Sequence, residues 1–169
     1  MLHKSYRSSD NDMYSVWSFG RHRCHQRRDS AFKAVNKSSV QVVPANQMIH
    51  VDYPDVDFDL NHEYCPVTST FSPRHNGIYL VIASLNFAAV DPANRVLINI
   101  EVNGQVVVSD NDYWDLGTRT DVTAVSGIVR LRVGDKVTIS MESVSSGEIV
   151  NRPNATHFEA ARLSIGHPK

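Results

Sequence analysis

Cysteine is scarce. The 169 residues hold two, Cys24 and Cys65, in different parts of the chain. That excludes a disulfide framework and leaves one bridge or two free thiols. Neither His22, Cys24 and His25 nor His62, Cys65 and His75 has the paired spacing of a structural zinc site. Long apolar runs are absent too. No stretch approaches a membrane span, and Met1–Arg28 has no apolar core of a secretory signal. There is no Gly-X-Y tract and no heptad repeat, so no collagen-like or coiled-coil stalk is read. The G-x-S-x-G elbow, the P-loop, H-E-x-x-H and a cupin-like H-x-H are all missing, so no enzyme is expected. Scattered carboxylates leave a glycosidase pair as the remaining catalytic alternative, because two at the right separation suffice. Charge of one sign is not in excess either. The net of -1 divides into six Lys/Arg against three Asp/Glu in residues 1–30 and eleven against fifteen in residues 31–169. A main domain of that balance is no nucleic-acid binder by bulk charge.

What is present is a series of short apolar segments separated by Gly, Pro and Asn. The stretch Thr70–Leu85, TFSPRHNGIYLVIASL, organises them. Pro73 breaks a strand end, Asn76-Gly77 reads as a turn, and Ile78 onward is β-branched and aromatic on both parities. A strand with apolar residues on both faces is expected at the centre, with cover on each side. Before it, Ala31–Val35, Ser39–Val43, Met48–Val51 and Val67–Phe71 read as strands. Tyr53–Leu60 alternates, with Val56, Phe58 and Leu60 on one side and Asp55, Asp57 and Asp59 on the other. After it, Arg95–Val102 alternates into an Asn103-Gly104 hairpin turn, with Gln105–Val108 leaving it. Val122–Val133, a Gly134-Asp135 turn, Val137–Met141 and His157–Ile165 follow. Residues 88–94, 109–120 and 143–155 read as loops. No long amphipathic helix appears, so the pattern argues an all-β sandwich or barrel. The polar, basic residues 1–30 read as an extension, flexible or docking on a neighbour, and residues 31–169 as the domain.

The order of features resembles the C1q-like globular domain, related in fold to tumour necrosis factor. Ala31-Phe32-Lys33-Ala34 is similar to that family's first strand. Phe71-Ser72-Pro73 with Gly77-Ile78-Tyr79-Leu80 is similar to its central run, with Leu80 and Val81 where an aromatic often falls. Asn103-Gly104 fits, as does Leu131-Arg132-Val133-Gly134-Asp135-Lys136-Val137. Phe158-Glu159-Ala160-Ala161-Arg162-Leu163 matches the last strand, with Ala160 in place of the usual glycine. The resemblance covers about residues 31–165. It implies a ten-stranded antiparallel jelly-roll β-sandwich assembled as a homotrimer, with Phe32, Phe71, Gly77, Tyr79, Gly134, Asp135 and Phe158 in structural roles. It also implies an extracellular or surface location.

Two acidic stretches invite a calcium reading. Asp55-x-Asp57-x-Asp59 fails the EF-hand pattern, since Leu60 stands where the loop needs glycine. Asp110, Asp112 and Asp115 are the stronger set, because closely spaced carboxylates in a loop suit Ca²⁺. Beside them Tyr113, Trp114 and Arg119 are candidates for contact with a protein or carbohydrate ligand; the alternative is that Trp114 plugs the end of the sandwich. No other cofactor is expected. Asn36-Lys37-Ser38 and Asn154-Ala155-Thr156 are glycan acceptor sequences. The expected function is a non-catalytic homotrimeric recognition head at a cell, spore or particle surface, using its apical loops. A structural coat or appendage component is the alternative reading. No nucleic-acid partner and no membrane insertion are expected.

Overall fold

The computed structural model describes residues 29–91, 94–114 and 120–164, and no helix occurs among them. They form thirteen strands: β1 (Ala31–Val35), β2 (Gln41–Val43), β3 (Ile49–His50), β4 (Asp55–Asp59), β5 (Tyr64–Cys65), β6 (Thr70–Phe71), β7 (Gly77–Ala89), β8 (Asn94–Val102), β9 (Gln105–Trp114), β10 (Thr120–Leu131), β11 (Val137–Ser143), β12 (Gly147–Ile149) and β13 (His157–Arg162). Against the ten strands expected there are thirteen, five of which, β2, β3, β5, β6 and β12, are pieces of two or three residues.

All pairings are antiparallel. Sheet A runs β2-β12-β7-β13-β1-β4, with β10 also on β7, and sheet B runs β5-β6-β11-β8-β9, with β3 also on β11. β7 is the hub of sheet A. Residues 77–88 pair with β10, while residues 79–84 pair with β13 and 87–89 with β12. Since the β10 register overlaps both of the others, β10 takes one edge of β7, and β13 and β12 share the opposite edge.

The core lies between the sheets. Tyr79, Val81, Ala83, Leu85 and Phe87 from β7 meet Val96, Ile98 and Ile100 from β8 and Val137, Ile139 and Met141 from β11, all fully buried. Phe32 joins the layers: its ring stacks on Tyr64 (4.6 Å between centroids) and Phe71 (4.8 Å) and meets Phe158 edge-on (5.0 Å). The two buried tyrosine hydroxyls are paired, as most such groups are. Tyr53 donates to the Ser84 carbonyl and Tyr64 to the Tyr53 carbonyl, and burial pushes both phenols well above their ordinary range.

Four local expectations are corrected. The alternation in β4 is real, but Val56, Phe58 and Leu60 are 40%, 45% and 61% exposed rather than inward. β4 is an edge strand, and a register shift between Lys33 and Ala34 uncouples its sidedness from that of β1. Asn76-Gly77 is no positive-φ turn. Gly77 opens β7, where an added Cβ would lie 2.5 Å from Arg162 Nε. Val67 sits in a turn and is 91% exposed, and Val133, beyond the end of β10, is 61% exposed in its turn. Asn103 (φ 53°) and Gly104 (φ 76°) do form the left-handed pair expected of the β8–β9 hairpin.

Candidate functional site

The feature with the clearest physical demand is the outer face of sheet A. Residues directly opposite in an antiparallel pair share a face. Ile78, Leu80 and Ile82 of β7 lie opposite Arg130, Ile128 and Ser126 of β10. On the other edge, Leu80 and Ile82 face Ala161 and Glu159 of β13. Val122 and Ala124 continue the β10 side. Ile128 is 69% and Val122 43% exposed, while the three β7 side chains are half-buried. A long central strand thus has one dry face in the core and one apolar face that no described residue covers.

This patch is bordered by a charge cluster that the sequence did not reveal. Lys33 of β1 lies opposite Glu159 of β13, and their side chains pair at 2.9 Å. His157 stands two residues before Glu159 on the same face. Its Nδ1 is 3.1 Å from Glu159 Oε1, within ion-pairing distance but off hydrogen-bond alignment. Desolvation holds the imidazole below its ordinary pKa; Glu159 opposes that shift and Lys33 adds to it. Only the β1–β13 register brings these three together, and neither spacing nor composition carries that information.

The expected ligand loop divides differently. Residues 109–114 belong to β9, not to a loop. Asp110 and Asp112 therefore share one face at a strand spacing of about 6–7 Å. Each carboxylate accepts the N–H of the following residue, Asn111 (2.8 Å) and Tyr113 (2.9 Å). Tyr113 is 68% exposed, whereas Trp114 is 7% exposed and its ring lies 6.4 Å from that of Phe87. The two aromatics point to opposite faces, so they do not form one stacking platform, and Trp114 plugs the end of the core. Asp115 and Arg119 lie outside the described residues. Among the described residues no group of three His, Cys, Asp or Glu side chains is arranged to hold a metal ion.

The carboxylates of β4 and of the Gly134 turn serve the chain itself. Asp55 accepts the Lys37 N–H (2.7 Å) and the Ser38 hydroxyl (3.0 Å), and Asp57 pairs with the Lys37 ammonium. Asp59 accepts the N–H groups of Asn61, Glu63 and Tyr64. Asp135 accepts the Arg132 N–H and the Asn103 amide, which hold its carboxyl below the usual range, while Gly134 beside it has φ 86°. Phe32, Phe71, Tyr79 and Phe158 are core residues. Cys65 is an exposed free thiol, lowered in pKa chiefly by a hydrogen bond from Thr68; Cys24 lies outside the described residues, as do His22 and His25. Asn36 is fully buried, so the first glycan acceptor sequence is closed in the folded chain.

No protein-family model matches the sequence, and comparison with curated proteins finds no match. Solved structures do match by shape. The Eiger TNF of S. frugiperda superposes with a TM-score of 0.62 at 10% identity, over 83% of this chain and 96% of that one. Murine APRIL at pH 8.0 gives 0.61 at 14% identity, over 80% of this chain and all of that one, and the same protein at pH 5.0 gives 0.62. At such identities the likeness establishes the fold: an all-β jelly-roll sandwich of the TNF-like type, in keeping with the C1q/TNF-like resemblance.

Proposed function

We propose that the chain is a non-catalytic recognition head that works as a homotrimer at a surface, closed on the outer face of sheet A. The observation that carries this reading is the apolar stripe of Ile78, Leu80, Ile82 and Ile128 on the two longest strands, which no described residue covers. Burying such a face in a partner removes apolar area from water at about 25 cal/mol per Å². In the closed assembly the Lys33–Glu159–His157 cluster borders the seam, and each subunit's Tyr113 and neighbouring loops are repeated three times. A weak contact to a protein or carbohydrate then becomes strong when the ligand is itself repeated. Calcium at Asp110, Asp112 and Asp115 is the cofactor to test in this frame.

If folding and assembly are one equilibrium, Tm rises with protein concentration. The test is thermal unfolding over a hundredfold concentration range, with calcium and with chelator. Wild type is expected to show the rise. Ile128→Asp places a charge on the stripe and is expected to abolish it while leaving a cooperative transition. A concentration-independent Tm in wild type would count against the assembly, and a Tm unchanged by chelator would count against the calcium site.

A further inference from the structure

The charges of the described residues are sorted between the two ends of the sandwich. The Phe71–Tyr79 ring pair marks one end and the Phe87–Trp114 pair the other. At the first end, Arg74 precedes β7, Arg130 and Arg132 close β10, Lys136 opens β11 and Arg162 closes β13. None of these five cations forms an ion pair with another described residue. Four carboxylates share that end, and each has hydrogen-bond donors of its own. Glu101, opposite Thr138, accepts from the Ser140 hydroxyl. Asp59 and Asp135 accept backbone N–H groups, and the buried Glu63 accepts from Ser30, Asn61 and the Arg74 N–H. Arg162 donates to the Asn76 carbonyl (2.7 Å) with its Nε buried, so Arg74, Arg130, Arg132 and Lys136 are the cations left facing outward. They rim two adjoining open cavities, one of about 600 Å³ beside Arg74 and Lys136 and one of about 450 Å³ beside Arg130 and Arg132.

The opposite end is acidic. Asp112 lies opposite Val96, Asp121 opposite Phe87 and Glu148 opposite Ala88, with Asp91 just beyond β7, while Asp110, opposite Ile98, lies at mid-strand. Glu142 is there too, paired with Arg95 at 3.6 Å, and Arg152 is the other cation nearby. Asp91, Asp110 and Glu148 are exposed.

We propose that the basic end is a docking surface for the acidic end of a second copy, so that assemblies stack head to tail. Two observations select this occupant. The charges are complementary, with cations freed of internal partners at one pole and carboxylates in excess at the other, which is the arrangement that steers and orients association. The poles lie at opposite ends of the same strands, so the contact joins unlike surfaces and does not close as a two-fold pair; it propagates. The inference rests on the trimeric reading only for its valency, since three contacts per junction bind far more strongly than one.

Full-length protein is followed by light scattering at about 0.01 M and about 1 M NaCl, where the screening length falls from about 30 Å to about 3 Å. The expected result is at least a doubling of the mean mass at low salt, growing with protein concentration and collapsing to a fixed base unit at high salt. Arg74→Glu with Lys136→Glu makes both ends acidic, and Asp91→Lys with Glu148→Lys makes the acidic end basic; all four are exposed and lie off the apolar stripe. Each variant alone is expected to stay at the base unit at low salt, and the two mixed are expected to regain growth. Thermal unfolding confirms that each is folded. Wild type remaining at the base unit, growth that survives either charge reversal, or no growth on mixing would each overturn the proposal. Growth surviving the Arg74 and Lys136 reversals would trace association to residues 1–28, which every variant keeps. Wild type that does not grow but binds dextran sulfate through Arg74 and Lys136 would make the basic end a polyanion site instead. The high-salt base unit reports separately on the trimer, so the two readings fail independently.

Discussion

A methyl group added at position 147 has nowhere to go. Its carbon would fall 2.2 Å from the Ala88 carbonyl oxygen and 2.6 Å from Phe87 Cζ, where β12 crosses close to β7. Gly147→Ala is therefore expected to cost about 1–3 kcal/mol or more by overpacking. Gly134 makes a different demand: φ is 86° and nothing lies within 4 Å of an added Cβ. Gly134→Ala should cost about 1–2 kcal/mol of backbone strain. Asparagine separates the two mechanisms, because it tolerates a left-handed backbone. In urea unfolding, Gly134→Asn should recover most of the loss and Gly147→Asn none. His157 supplies a pH dependence. Burial depresses its folded pKa below the ordinary 6.5, so below that value the unfolded chain binds a proton that the folded chain refuses. Its contribution is fully present above pH 6.5 and is lost as pH falls through the folded value. Wild-type Tm should drop between pH 7.5 and 5 by more than that of His157→Gln; equal drops would remove His157 from the account.

Strands whose sequence matched their surroundings were legible, and strands whose surroundings overrode the sequence were not. β1, β7 and β8 fell where apolar periodicity put them and Asn103-Gly104 placed the turn into β9, because β1, β7 and β8 each have strand neighbours on both edges. In β4 the period of two was plain, yet its buried side could not be told, since an edge strand takes its facing from pairing and from the bulge opposite. β9 was cut short at Val108 because its upper half is Ser, Asp and Asn, residues poor in β-propensity that the β8 ladder nonetheless holds extended through Trp114. The same misreading turned Asp110 and Asp112 into loop ligands. β12 was lost within a polar stretch for lack of apolar periodicity, while its Gly147 meets β7 by close backbone approach. The charge clusters at the seam and at the poles were invisible, since they arise from register. One consequence is testable at this scale. Phe58→Thr, on the exposed side of β4, should change unfolding free energy by under about 1 kcal/mol, as surface changes do. Phe32→Ala, at the centre of the ring cluster, should cost about 3–5 kcal/mol.

At the scale of the whole molecule, one sheet has an apolar face that no described residue covers, and the two ends of the sandwich differ in charge. The first asks for copies side by side and the second for copies end to end. Side-by-side closure is the central claim, because the recognition function depends on presenting the Tyr113 surface and its neighbouring loops in threes. The most direct measurement is the solution mass of the intact chain by light scattering coupled to size exclusion, in salt high enough to screen the poles. The account predicts about 57 kDa, three times the 18.9 kDa of one chain. A mass of one chain across the accessible concentrations would contradict it.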